Sequence, residues 1–159
     1  MLKHKELMET QYKTFITEAV QNGVVWMLED GETVGISTSN EFFDEDGDEA
    51  GVVLFWSKEG EAKQVAIAEW SEYKAVAVDL DVFLEFSVVT ISNEDMLMGI
   101  NWGTDMSGKE IHPIEIALDI IKELEATGKP VALKHHADLS AYKEVTQSVA
   151  DEIFGTDNQ

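Results

Sequence analysis

The sequence predicts an α+β fold: a small, mostly antiparallel sheet covered by amphipathic helices, in a single domain with a C-terminal helical appendage. Three observations carry this. Several segments repeat apolar residues at steps of three and four, the spacing of a helix face. Others are short β-rich runs bounded by glycine, asparagine or aspartate. The two kinds mix without the regular strand–helix alternation of a doubly wound fold.

Residues 5–21 read as a helix, with Met8, Tyr12, Phe15, Ile16, Ala19 and Val20 on one face. Asn22-Gly23 ends it, since both residues tolerate a left-handed cap. Two β-rich runs, 24–29 and 32–38, flank Asp30-Gly31 and read as an antiparallel hairpin. "VVLFW" (52–56) reads as a buried strand. Ser57 then suits the cap of a helix over about 58–70, with Ala62, Val65, Ala66 and Trp70 inward. "AVAV" (75–78) is another short strand, and Asp79 suits the cap of a helix from 80 to about 91. Its inward residues are Leu80, Phe83, Leu84, Ser87, Val88 and Ile91. "MLMGINW" (96–102) reads as a strand and 103–108 as a loop. Pro113 starts a helix over 113–126 whose inner face is Ile114, Ala117, Leu118, Ile121 and Leu124. Gly128 and Pro130 punctuate its end, and a last helix over 139–154 carries a narrow stripe of Tyr142, Val145, Val149 and Ile153. The division expected is a core domain over 1–127 and a helical extension over 128–159 with a frayed tail.

Composition sets the bounds. A chain of 159 residues with 44% apolar content can bury one sizeable core. It has no cysteine, which removes disulfides, thiol nucleophiles and thiolate metal sites and fits a cytoplasmic location. No apolar h-region opens the chain, and no apolar run reaches the roughly 18 residues of a membrane span. The net charge is −21, and all eleven basic residues are lysine. Nucleic acid is therefore not an expected partner, because phosphate contacts need a basic patch and arginine's bidentate contact to guanine is missing. An anionic membrane would repel the chain as well. A basic protein would be steered towards it. Solubility, or adaptation to a salty medium, explains the charge equally well.

The carboxylates concentrate. Residues 29–61 hold eleven of them against one lysine, and Asp44, Glu45, Asp46, Asp48 and Glu49 crowd six positions. A calcium loop of the helix-loop-helix kind needs glycine at its sixth position and glutamate at its twelfth. Here those are Glu49 and Phe55, and a strand precedes the loop, so this reads as a solvated loop or a partner surface and not as a metal site. His135-His136-Asp138 has no third ligand at a recognisable spacing and reads as surface histidines, and His112 beside Pro113 as a helix-start residue. "GISTS" is not a nucleophile elbow, and "GINWG" lacks the spacing of a phosphate-cradling loop. No catalytic residue, metal site or cofactor is implied. Of the tryptophans, Trp26, Trp56 and Trp70 sit as core residues do. Trp102 leaves its strand into a glycine loop, so Asn101 and Trp102 could line a shallow ligand pocket.

An amphipathic helix, then "VVWMLEDGE", "LFWSKEGEAKQVAIAEW", "LDVFLEF" and "MLMGINW", resembles the bacterial domain-of-unknown-function 2750 family over about residues 12–125. The resemblance implies a small cytosolic bacterial protein with no established activity, and it supplies no catalytic residues. The acidic loop and the segment after residue 127 depart from the family pattern.

Three functions stay open from these residues. One is a non-enzymatic binding module for a basic protein, immunity-like in its most concrete form. Another is a small-ligand binder or enzyme with its site at Asn101 and Trp102. The third is self-association, a homodimer built on the apolar face at 114–124 and the helix at 139–154.

Overall fold

The computed structural model describes residues 2–43, 47–68 and 70–155. In chain order the elements are α1 (Leu2–Asn22), β1 (Val24–Glu29), β2 (Ile36–Phe43), β3 (Glu49–Phe55), α2 (Glu59–Ala68) and β4 (Lys74–Asp79). A helical rod follows in three parts: α3 (Leu80–Val82), a π-helical stretch (Phe83–Ser87) and α4 (Val88–Asn93). Next come β5 (Leu97–Ile100), β6 (Lys109–Ile111), α5 (Pro113–Thr127) and α6 (Leu139–Phe154). The architecture is α+β, and three of its four strand pairings are antiparallel.

Two sheets form. β1 pairs with β4, and the other sheet runs β2-β3-β5-β6, with β3 and β5 parallel. Trp26 and Trp56 exchange backbone hydrogen bonds of 2.7 and 2.8 Å and join the sheets where β3 ends. The run "VVLFW" is apolar throughout because both faces of β3 are covered. Val53 and Phe55 pack in a large cluster with α1, the π stretch, α4 and α5. Val52, Leu54 and Trp56 pack in a smaller one beneath Ala62, Val65 and Ala66 of α2.

The apolar stripes of α1 and of residues 80–91 face the core as expected. Phe15, Ala19, Phe83 and Leu84 are all fully buried. Gly23 takes the left-handed conformation (φ +71°) that stops α1. Gly128 does the same for α5 (φ +69°).

Several expectations need correction. Asp30 does make a tight turn, its carboxylate accepting from the N–H groups of Glu32 and Thr33. Val34 bridges Glu29 antiparallel and the Gly35 N–H donates to the Leu28 carbonyl at 2.7 Å, so a short hairpin does form there, but from Ile36 the chain leaves for the other sheet. β1 takes β4 as its partner, and β2 begins only at Ile36. Glycine at 35 makes room for Trp70, whose ring lies 2.0 Å from where a Cβ would stand. Trp70 is outside the helix that was to hold it, and its ring packs against Tyr73 at 5.2 Å, tilted by 47°. Asp79 makes no side-chain cap hydrogen bond, and Ser57 turns its hydroxyl to Glu18 instead of to the start of α2. The short strand β6 was not expected.

The face at 114–124 is core. Ile114, Ile116, Ala117, Ile120, Ile121 and Leu124 are buried between α1, α4 and α6, so no homodimer can use it. α6 is rotated from its expected stripe. Tyr142, Thr146 and Ala150 face inward, while Val145 and Ile153 are exposed. The Tyr142 hydroxyl sets this rotation by donating to the Leu84 carbonyl at 2.6 Å, and the small Ala150 fits the same inward face.

Candidate functional site

Parallel β3 and β5 end side by side, with Phe55 opposite Ile100. The next residues of each strand, Trp56-Ser57 and Asn101-Trp102, therefore meet at one carboxyl edge. Asn101 adopts a left-handed backbone (φ +51°), which turns the chain out of the sheet after its N–H has bonded the Phe55 carbonyl at 2.9 Å. Asparagine suits this conformation better than other residues with a Cβ. Its side chain then closes a network. Oδ1 accepts from the Ser57 N–H at 3.0 Å, and Nδ2 donates to the Gln11 carbonyl and to Ser57 Oγ. The Ser57 hydroxyl donates to Glu18 at 2.6 Å, and Glu18 pairs with Lys58 at 3.4 Å.

Trp102 is held as firmly. Its indole N–H donates to the Lys109 carbonyl, and its own carbonyl accepts from the Trp56 indole at 2.8 Å. Two glycines flank the ring. A Cβ on Gly99 would stand 2.6 Å from Nε1, and one on Gly108 would stand 2.5 Å from Cδ1.

Above this floor lies a shallow cavity of about 230 Å3. Thr10, Gln11, Thr14 and Glu18 of α1 form one wall, and Glu61 and Gln64 of α2 form the other. Both expected pocket residues border it, but they are buried, and the side-chain polar groups of both are engaged within the fold. The groups a ligand would meet are neutral amides, hydroxyls and two carboxylates. That wall was missed from the sequence, although Thr10, Thr14 and Glu18 recur at steps of four beside the apolar stripe of α1.

β2 and β3 pair antiparallel on either side of the acidic stretch in sequence. Asp44, Glu45 and Asp46 lie outside the described residues. Asp48 and Glu49 are exposed, and Glu49 opens β3 opposite Phe43. β2 carries an irregularity between Thr38 and Phe43, where Ser39 Oγ accepts from the Phe42 N–H and bonds Glu110. Phe42 and Phe43 are left 47% and 70% exposed beside the carboxylates. Nothing in the sequence pattern marked these two aromatics.

The histidines have structural partners. His112 Nδ1 accepts from the Ile114 N–H and caps α5, and burial pushes its pKa below the usual histidine range, which suits an acceptor. His136 Nδ1 lies 2.7 Å from Glu85 in the π stretch, and the Lys134 and His135 N–H groups donate to the same carboxylate. Asp138 caps α6. Burial, followed by the hydrogen bond to Asp119, pushes the Tyr12 phenol far up, so it stays protonated as a donor. Among the described residues no group of three or more His, Asp or Glu side chains could hold a metal ion, and no helix is long and apolar enough to cross a membrane.

The family described as "Protein of unknown function (DUF2750)" matches residues 12–120, and the chain belongs to it. No curated protein and no solved structure matches the chain.

Proposed function

We propose that this member of the DUF2750 family is a non-enzymatic binding module that captures a basic protein through the end of its β2–β3 hairpin. One observation carries the reading: Phe43 stands exposed opposite Glu49, next in sequence to exposed Phe42, on a chain of net charge −21. Exposed aromatic rings give a cationic partner apolar contact and a cation–π surface. The surrounding charge steers that partner in and excludes acidic competitors. A neutralising, immunity-like role towards a cationic protein is the most concrete form. The test is a pull-down from lysate of the source cells at roughly 50 mM and roughly 500 mM salt, since screening length falls with ionic strength. A specific partner should be recovered at low salt, weakened at high salt, and lost with Phe43→Ala plus Asp48→Asn. Recovery indifferent to salt and to that variant would end the proposal.

A second reading rests on the cavity over Asn101 and Trp102, whose lining suits a small, polar, uncharged or cationic ligand. A thermal-shift screen of metabolites tests it, because a ligand that binds only the native state raises the melting temperature. A stabilising ligand whose effect survives Thr14→Trp, which fills the cavity, would place binding elsewhere.

A further inference from the structure

We propose that the outer edge of β4 is a homodimer interface, pairing with β4 of a second copy about a two-fold axis at Ala77. Backbone alternation locates the edge. Trp26 spends both its backbone groups on Trp56, so in β1 it is Val25, Met27 and Glu29 that face β4. Their partners are Val78, Val76 and Lys74. Ala75 and Ala77 therefore point their N–H and C=O groups away from β1, and among the described residues no strand pairs with that side.

The edge is built to accept itself. The other edge of β1 is already bonded to Trp56 and Gly35, so β4 carries the open edge of this sheet, and pairing would make the order β1-β4-β4-β1. The register that matches outward residues to outward residues puts Ala77 against Ala77 of the second copy and Ala75 against Asp79. The run Val76-Ala77-Val78 is symmetric about that axis, so Val76 meets Val78 twice. Ala77 is exposed and small, which permits close approach. The charges, proline and bulges that blunt natural edges are absent from these three residues and confined to Lys74 and Asp79 at the strand ends. Ile67 of α2, 80% exposed, flanks the same edge and would be covered. Lys63, paired with Glu59 at 3.1 Å, and Lys74 border it too, so this face is less negative than the 44–49 stretch.

Sedimentation equilibrium tests the state, and engineered cysteines test the register in this cysteine-free chain. The apparent mass should rise towards double with concentration. Added salt should favour it, because screening relieves repulsion between two anionic copies; this is the opposite of the basic-partner prediction. Ala77→Pro should keep the monomer fold, since the lost N–H points outward, and should remain monomeric. Directly opposed residues of a hydrogen-bonded pair sit about 5.5 Å apart at Cα, within disulfide reach. Ala77→Cys should thus cross-link on mild oxidation. Ala75→Cys, about 14 Å from its copy at ~3.4 Å per residue, should not. A wild type monomeric at every concentration and salt, a Pro variant that dimerises like wild type, or equal cross-linking at 75 and 77 would each overturn the proposal.

Discussion

Replacing Asn101 tests whether this side chain holds the fold. Asn101→Ala removes the acceptor for the Ser57 N–H and the donors to Gln11 and Ser57. The Ser57 N–H then stays buried without a partner, which costs about 1–3 kcal/mol. The left-handed backbone adds a second penalty of about 1 kcal/mol for alanine, which lacks the local polar contacts that help asparagine adopt it. Asn101→Gly loses the same hydrogen bonds and escapes the backbone penalty, offset in part by the greater freedom of glycine in the unfolded chain. The expected losses are therefore about 3 kcal/mol for alanine and about 2 kcal/mol for glycine. Urea unfolding at equilibrium measures both, with the denaturant slope unchanged from wild type. In thermal melts each kcal/mol should read as about 2–4 °C for a domain of this size. An alanine variant within about 1 kcal/mol of wild type would refute the reasoning, as would alanine more stable than glycine; either would make Asn101 available to a ligand.

Gly99→Ala should cost about 1–3 kcal/mol, since its Cβ would stand 2.6 Å from both Leu54 Cδ2 and Trp102 Nε1. Gly60→Ala on α2 meets nothing within 4 Å and should gain about 0.5–1 kcal/mol, and urea midpoints moving together would contradict the pair. For Glu85, burial works to raise the pKa, but His136 and the Lys134 and His135 N–H groups outweigh it and hold the carboxyl below its usual range. Stability from such a group is present above the unfolded carboxylate pKa and lost as pH falls through the lower folded one. The advantage of wild type over Glu85→Gln should thus shrink between about pH 7 and about pH 3, and a constant gap would exclude the mechanism. Calorimetric titration with calcium in physiological salt should give a flat trace, because Glu49 and Phe55 occupy the positions where a calcium loop needs glycine and glutamate. A micromolar one-to-one isotherm lost with Asp46→Asn plus Asp48→Asn would reverse that.

Helices were legible in the sequence because their signal is local. The stripe from Met8 to Val20 and the run from Leu80 to Ile91 each name their own buried face. Strand partners were not legible, because a turn says only that the chain reverses. Asp30 reverses the chain and Val34 bridges back to Glu29, yet the strand that pairs with β1 along its whole length lies some fifty residues on, in β4. The Trp70 ring lying over Gly35 is likewise a contact that no spacing rule contains. α6 shows the same limit on a helix. Tyr142 and Val149 of the expected stripe pack on the core, but Val145 and Ile153 do not, and Thr146 and Ala150 are buried in their place, beside the bond from the Tyr142 hydroxyl to the Leu84 carbonyl. At the candidate site, the glycine after Trp102 correctly marked a chain leaving its strand. The burial of Trp102 depends on Gly108, six residues further along, and could not be read.

The family signature is concentrated in the scaffold. The residues by which this chain resembles its family, Trp56-Ser57 and Asn101-Trp102, are spent on one another: indole to carbonyl, amide to N–H, hydroxyl to Glu18. A side chain with its polar atoms engaged in this way fixes geometry and has little left to offer a ligand. Membership thus carries the scaffold, two sheets joined at Trp26 and Trp56, without prescribing what the scaffold meets. The groups proposed for recognition are Phe42 and Phe43 at the end of β2, the polar walls of α1 and α2, which the motifs include, and the open edge of β4. The first and last respond oppositely to salt, because one attracts an opposite charge and the other brings like charges together. A salt series on the wild-type protein, reading partner capture and self-association in parallel, therefore separates two roles that the shared scaffold leaves undetermined.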